Sequence, residues 1–235
     1  MSPSRLQCNN CSANRDSIFC HMATSELHGL DTHKSQAHHK RGAILFHEGA
    51  PCQTIYCVFD GKIKIYKTGA DGSETILRIA KRGDVLGYHS FLSGHGYIAN
   101  AMVIEDATVC GVDHRYFNQL LAKSPAVAIS LIQKLGDEVR DSFDRINDMQ
   151  NLPVRQRFAN LLLTLSRVYG CDELRGRRLD LRLSRAELAS MIATTPETVI
   201  RLLRDFSDHR YLILEGKQII LSNVQGLLET SAIDL

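Results

Sequence analysis

Between Ser184 and Leu221 the sequence narrows the folding options more than anywhere else in its 235 residues. Ser184 with Glu187 three residues later is a capping box, in which the hydroxyl accepts from the N3 amide and the glutamate reaches back to the N-cap amide. A short helix is therefore expected, with Leu188, Ala189 and Ile192 on its buried side. The pattern breaks at Ala193-Thr194, and a second helix opens at Thr195-Pro196-Glu197. Pro196 suits the first turn because its missing amide would have had no partner there. Val199, Leu202, Leu203 and Phe206 form the apolar face of this second helix. Ala189 is small enough for two helices to cross closely, and it lies ten residues before Val199, the spacing of a helix-turn-helix. Arg210–Leu214 and Lys217–Leu221 then flank Glu215-Gly216, which reads as two short strands and a tight turn, a wing.

The exposed start of the second helix carries Thr195, Glu197, Thr198, Arg201 and Arg204. Arginine pairs bidentately with guanine O6 and N7, glutamate accepts from cytosine N4, and threonine hydroxyls suit phosphates, so this set points to double-stranded DNA. A helical hairpin with a solvated charged face is the plainer alternative, but the cap, the packing positions and the wing all agree on the first reading. The formal net charge is only +2, with 44% hydrophobic and 23% charged residues. That is the balance of an ordinary globular protein, so attraction to a polyanion must come from local clustering.

Upstream, the texture changes twice. Residues 1–40 are polar and rich in histidine and cysteine, and a solvated, partly ordered leader is expected there, including His28, His33, His38 and His39. From Gly42 to Val112, short apolar runs are broken by Gly42, Gly49, Gly61, Gly69, Gly72, Gly83, Gly87 and Gly94. Tyr56–Phe59, Lys62–Lys67, Thr75–Ile79 and Thr108–Val112 alternate, and Asp71-Gly72 is a hairpin signal because such turns need positive φ. These features predict a small antiparallel β-roll of jelly-roll type over 41–123. A helix over 124–152 follows, opened by Ser124-Pro125. Val154–Tyr169 is a further amphipathic helix, Asp172–Arg178 a loop or the start of a hairpin, and Leu179–Leu183 a short strand. They complete a C-terminal unit over 153–235. The fold class is α+β.

Within the 124–152 helix, Ile132, Leu135, Val139, Ser142, Ile146 and Met149 recur by three and four residues. So narrow an apolar seam suits a two-helix coiled coil between copies of the chain. Asp137, Asp141, Asp144 and Asp148 crowd its flanks and repel across a two-fold axis, which makes the expected homodimer marginal. A long intramolecular helix with its acids in water is the alternative.

In this arrangement the chain resembles the cAMP receptor protein/FNR (CRP/FNR) family of transcription regulators, its oxygen-sensing FNR branch most closely, over nearly its whole length. Gly83-Asp84-Val85-Leu86-Gly87 and Phe91-Leu92-Ser93-Gly94-His95 carry the likeness in the β-roll, and Glu197-Thr198-Val199-Ile200-Arg201 matches the family's E-x-x-x-R core. The resemblance implies a cyclic-nucleotide-binding-like β-roll, a dimerisation helix and a winged helix-turn-helix. It also implies a palindromic DNA site with TGA-type half-sites read by Glu197 and Arg201, and RNA polymerase as a partner. Ile200 stands where the FNR branch has serine, and it suits a thymine methyl; Pro196 stands where cAMP-type members have arginine, and Ala193 replaces a glycine common in the turn. The cAMP-binding members hold the cyclic phosphate with an Arg-Ser or Arg-Thr pair. Here that region reads Tyr97-Ile98-Ala99-Asn100-Ala101, and no cAMP is expected.

Seven cysteines, an odd count in a chain expected to be cytoplasmic, argue against a structural disulfide framework. FNR-type proteins hold a [4Fe–4S] cluster with three N-terminal cysteines and one near the end of the β-roll. Cys8, Cys11, Cys20 and Cys110 match those positions, and the gap between Cys11 and Cys20 is longer than usual. Soft thiolates suit such a cluster. On residue chemistry alone, tetrahedral zinc with His21 beside Cys20, a thiol switch and simple burial stay open. Cys52, Cys57 and Cys171 read as structural. An intact cluster is expected to order the leader against the β-roll and the start of the long helix, favouring the dimer, with oxygen or nitric oxide reversing this. A regulator of the same fold sensing a small molecule, haem or thiol redox state is the alternative. No nucleophile elbow, P-loop, dinucleotide motif or paired-histidine metal motif is present, so an enzyme is not expected. No stretch reaches the ~18–20 apolar residues of a membrane span, and Met1 to His21 has no signal-peptide core.

Overall fold

Two long antiparallel strands organise the N-terminal part of the chain. The computed structural model describes residues 7–231; the first six residues of the expected leader and the last four of the expected C-terminal unit lie outside the described residues. The chain divides into two compact units, Met1–Val139 and Arg140–Leu235.

In the first unit, two 3-10 turns (Cys8–Asn10, Ser12–Asp16) lead to α1 (Thr24–His33), then β1 (Lys34–His39), β2 (Ile44–Phe46), β3 (Thr54–Thr68), β4 (Glu74–Ala80) and β5 (Val85–Leu86). Then come α2 (Tyr88–Ser93), β6 (Asn100–Asp113), α3 (His114–Lys123) and α4 (Pro125–Asn151), which runs on into the second unit. The antiparallel sheet has the order β1-β6-β3-β4, with β2 added on β6 and β5 on β3. β3 and β6 pair from Thr54 opposite Asp113 to Tyr66 opposite Asn100, with register shifts between Val58 and Ile63. Such bulges increase local twist and let one ladder serve both layers of a roll. Gly61 sits at this bend with φ +89°, and a Cβ there would meet Asp106 O at 2.4 Å. As expected, Asp71-Gly72 turns β3 into β4, with Gly72 at φ 81°. Phe46, Val58, Ile63, Leu86, Tyr97, Val103 and Val109 fill the roll.

The leader departs from expectation. Ile18, Phe19, Met22, Leu27 and Leu30 are buried in one core with Ile55, Val85 and Val112 of the sheet and Phe117, Leu120, Val127 and Leu131 of α3 and α4. β1, expected within the leader, is an edge strand paired with β6 from Lys34 opposite Val112 to His39 opposite Ala107. Its residues Lys-Ser-Gln-Ala-His-His show no apolar alternation because an edge strand draws its stability from the ladder more than from a buried face. His28, His33 and His38 are exposed as expected.

In the second unit, α5 (Val154–Tyr169) leads to β7 (Gly170–Glu173) and β8 (Gly176–Leu179), α6 (Arg185–Met191), α7 (Pro196–Asp208), β9 (Leu212–Glu215), β10 (Gln218–Leu221) and α8 (Val224–Thr230). The sheet order is β7-β8-β10-β9. Strand pairing starts at Gly170, opposite Leu179, so Asp172–Arg178 is the middle of a hairpin. The strand expected at Leu179–Leu183 ends at Leu179, with Leu181 and Leu183 buried beyond it. Phe158 of α5 stacks on Phe206 of α7 at 5.7 Å between centroids. Among the described residues no helix is long and apolar enough to cross a membrane.

Candidate nucleic-acid interface and cysteine site

The helix pair forms as the sequence predicts. Ser184 Oγ accepts from the Glu187 amide at 3.1 Å, and the Ser184 amide donates to Glu187 Oε2 at 2.8 Å. Ala189, 1% exposed, is buried, as are Leu188 of α6 and Val199 and Leu203 of α7. The turn is a Schellman-type stop, with the Thr194 amide donating to Ala189 O at 3.1 Å while Ala193 takes φ 50°. Thr195 caps α7, accepting from the Thr198 amide at 3.3 Å, and Pro196 occupies the first turn. Its hydroxyl is therefore partly committed to holding the helix start. Glu197, Ile200, Arg201 and Arg204 are exposed along one side of α7, and Thr198 is half-buried. Its own backbone amide and the Thr195 hydroxyl hold the Glu197 carboxyl below its usual range, so it is an anionic acceptor at neutral pH. Among the described residues neither Arg201 nor Arg204 is paired with a carboxylate, whereas the nearby Asp205 is taken by Arg155 at 3.0 Å. The wing turns at Gly216, φ 62°, whose carbonyl accepts from Arg185 of α6 at 3.0 Å. Arg210 takes φ 59°, which delays the first wing strand to Leu212.

On α4, Ile132, Val139, Ile146 and Met149 are exposed, at 67%, 51%, 53% and 40%. Leu135 instead packs against the core of its own unit. Ile129 and Phe143, both missed in the sequence, are 56% and 67% exposed on the same helix. Phe143, four residues beyond Val139 and three before Ile146, continues the stripe that the heptad reading assigned to Ser142. Asp137, Asp141 and Asp144 flank it in solvent.

The four expected ligand cysteines are only partly gathered. Cys8 is buried, Cys11 and Cys110 are half-buried, and Cys20 is exposed. Asp31 Oδ1 and Oδ2 accept from the Cys8 amide at 2.9 and 3.0 Å. Lys34 Nζ donates to Cys8 Sγ at 3.2 Å and pairs with Asp31 Oδ1 at 2.7 Å. Burial pushes the Cys8 thiol up to about 11, against the pull of Lys34. Burial also raises Cys110, with Lys34 pulling it back and Cys11 and Asp31 pushing it further. Cys57 stands directly opposite Cys110 across the β3/β6 ladder, and Gln36 faces Cys110 from β1, which makes a row across three strands. Burial drives the Cys57 thiol well up, reinforced by Cys110, Cys11 and Cys8. Cys11 and Cys110 thus lie within electrostatic reach of each other, and both, with Cys8, within reach of Cys57. Neither Cys57 nor Lys34 stood out in the sequence, since each belongs to a strand whose register only the fold sets. Soft thiol donors are the chemistry an iron–sulfur cluster needs. Among the described residues no three cysteine, histidine or carboxylate side chains stand in metal-holding geometry.

Where cAMP-type members place their phosphate ligands, Tyr97 is buried, stacks on Phe46 at 3.9 Å and donates to Thr54 O at 2.7 Å. Asn100 Oδ1 accepts from the Glu48 amide at 3.0 Å.

A family model described as a cyclic nucleotide-binding domain matches residues 36–124, and one described as a Crp-like helix-turn-helix domain matches 156–230. The chain is 27% identical over 213 residues to a CRP-like cAMP-activated global transcriptional regulator of Mycobacterium tuberculosis, covering 91% of this chain and 95% of that one. It is 26% identical over 226 residues to the fumarate and nitrate reduction regulatory protein of Salmonella typhimurium, covering 94% and 89%. The structure of FixK2 from Bradyrhizobium japonicum matches with a TM-score of 0.76 and 25% identity, covering 86% of this chain and 99% of that one.

Proposed function

Because the chain belongs to the CRP/FNR family of DNA-binding transcription regulators, which are not enzymes, we propose that it acts as a homodimer whose DNA affinity is governed by a [4Fe–4S] cluster on Cys8, Cys11, Cys20 and Cys110. The observation that carries this reading is the approach of the leader thiol Cys11 to Cys110 of the sheet, and of Cys8 and Cys11 to Cys57, which faces Cys110 across the ladder. When bound, the cluster supplies a cross-link that oxygen or nitric oxide can break. The residues of the chain do the rest. Cys8 and Cys11 tie the leader to β6, and Leu27 and Leu30 press on Phe117, Leu120, Val127 and Leu131, fixing the start of α4. Fixing α4 favours pairing of its Ile132, Val139, Phe143, Ile146 and Met149 stripe over repulsion among Asp137, Asp141 and Asp144. Dimerisation then presents two copies of α7 to successive major grooves of a palindrome. Glu197 and Arg201 read a TGA-type half-site, Ile200 covers a thymine methyl, and Thr195, Thr198 and Arg204 serve phosphates. RNA polymerase is the partner at the promoter. Tyr97 and Asn100, already committed within the roll, support a sensor that does not use cAMP.

The protein purified without oxygen is expected to be brown, to bleach in air, and to carry iron and acid-labile sulfide. Cys110→Ser and Cys20→Ser should each lose iron, whereas Cys57→Ser should keep it. A Cys110→Ser variant with unchanged anaerobic dimerisation and DNA affinity sinks the mechanism. One observation favours a second reading, thiol redox without a metal: Cys57 and Cys110 face each other across the ladder. In that case the protein is colourless, and oxidant alone changes DNA affinity through Cys57 and Cys110.

A further inference from the structure

Lys34 is the most deeply placed cation at the cysteine end of the sheet, with a side chain only 3% exposed. A buried ammonium costs stability unless hydrogen bonds and an opposite charge offset the loss of water. Asp31, one helical turn earlier, supplies that charge, and this alone would make the pair an ordinary helix-end salt bridge. The geometry does more. The Asp31 carboxylate accepts from the backbone amide of Cys8 with both oxygens, while the Lys34 amine donates to the sulfur of the same residue. Cys8 is therefore held from two sides by one ion pair. β1 also sets Lys34 two residues before Gln36, the residue facing Cys110, so the ammonium acts on the sheet cysteine as well as on the leader cysteine.

We infer that Lys34, anchored by Asp31, is a positioning residue of the cysteine site, a buried cation whose hydrogen bond to Cys8 Sγ sets how tightly the ligand thiolates hold iron and how easily dioxygen oxidises the cluster. The inference rests on the iron–sulfur reading above. Cys8, if it held iron, would do so as its thiolate, and the Lys34 hydrogen bond to its sulfur would then be charge-assisted. An N–H···S bond withdraws electron density from the ligand, and a fixed positive charge favours the more electron-rich state of the cluster. Removing the ammonium should therefore lower the reduction potential and hasten loss of iron in air.

The test uses full-length protein reconstituted anaerobically with iron and sulfide. Cluster midpoint potential and the rate of iron release at fixed dioxygen are measured for wild type, Lys34→Met and Lys34→Arg, with Lys34→Gln replacing the methionine variant if that fails to fold. The expected result is a more negative potential and roughly tenfold faster iron release for the neutral variants, as for removal of other outer-sphere partners, with arginine restoring both values. A neutral variant that matches a cluster-loaded wild type overturns the role of Lys34 alone, as does an arginine variant as impaired as the methionine one. A wild type that takes up neither iron nor sulfide overturns the iron–sulfur reading, and this inference with it.

Discussion

Replacing Glu138 with glutamine tests the contact that joins the β-roll to the middle of α4. Glu138 is 22% exposed and sits 2.7 Å from His89 Nε2 and 3.8 Å from Arg78, and it accepts from the Tyr88 hydroxyl. Beside it, Lys134 and Arg78 share Asp84 at 3.0 and 3.8 Å. Burial alone would raise the Glu138 pKa, but the His89 contact, the Arg78 charge and the Tyr88 hydrogen bond outweigh it and bring it from 4.5 down to about 2. At about 1.4 kcal/mol per pH unit this corresponds to about 3 kcal/mol favouring the folded charged form. Because the folded value is the lower one, that stability is complete above about pH 4.5 and is lost as pH falls toward 2. Glu138→Gln keeps an acceptor for Tyr88 and removes the charge. The chain has no tryptophan, so urea unfolding of both proteins is followed by circular dichroism at equal concentration, since dimerisation contributes to stability. The variant should be less stable by about 3 kcal/mol at pH 7 and by about 2 kcal/mol at pH 3.5, with the gap still closing below that. A gap that is absent at pH 7, or constant down to pH 3, refutes the reasoning.

Three further outcomes are expected. Arg201→Ala should weaken specific DNA binding by roughly 1–3 kcal/mol and relax discrimination at one guanine; equal losses on specific and random duplexes would contradict base reading. Ala193→Gly should stabilise the second unit by about 0.5–1 kcal/mol, because alanine in the left-handed region costs roughly 1–2 kcal/mol while glycine loses roughly 0.5–1 kcal/mol more chain entropy on folding; an unchanged or lower unfolding midpoint would argue against the Schellman stop. Phe143→Ala should raise the dimer dissociation constant, by roughly 1–2 kcal/mol of truncated aromatic contact, in sedimentation equilibrium of the reconstituted protein. If the association is unaffected, the stripe is not the seam.

What the sequence revealed and what it concealed divides along physical lines. The Ser184/Glu187 cap, the Pro196 helix start and the Asp71-Gly72 turn rest on local hydrogen bonds or local φ values, so they could be read from a few residues. The leader was misjudged because Ile18, Phe19, Met22, Leu27 and Leu30 keep no single period; they are buried by a segment that bends over the sheet. β1 was missed because a polar edge strand owes its place to its partner. Phe143 was passed over because a strict heptad preferred Ser142, whereas the real stripe drifts as a 3.6-residue helix does. The facing of Cys57 and Cys110 depends on strand register and the closeness of Lys34 to Cys8 on the fold of the leader, both over more than twenty residues of separation, which composition and spacing do not encode.

The continuity of α4 has a consequence of its own. With 27 residues, Pro125–Asn151 is one uninterrupted screw about 40 Å long. Val127 and Leu131 dock one side of its first turns in the core of the first unit, while Ile132 and Val139 leave another side open farther along. The angle between those two sides is set by residue count alone. Inserting a single residue near Gly136 would turn Val139 by about 100° relative to Ile132, breaking the open side while leaving every side chain intact. The turn at Gly69–Ser73, by contrast, can lengthen without moving anything beyond it. Evolution can therefore edit the sequence of α4 freely at many positions, but its length between Leu131 and Val139 carries phase information.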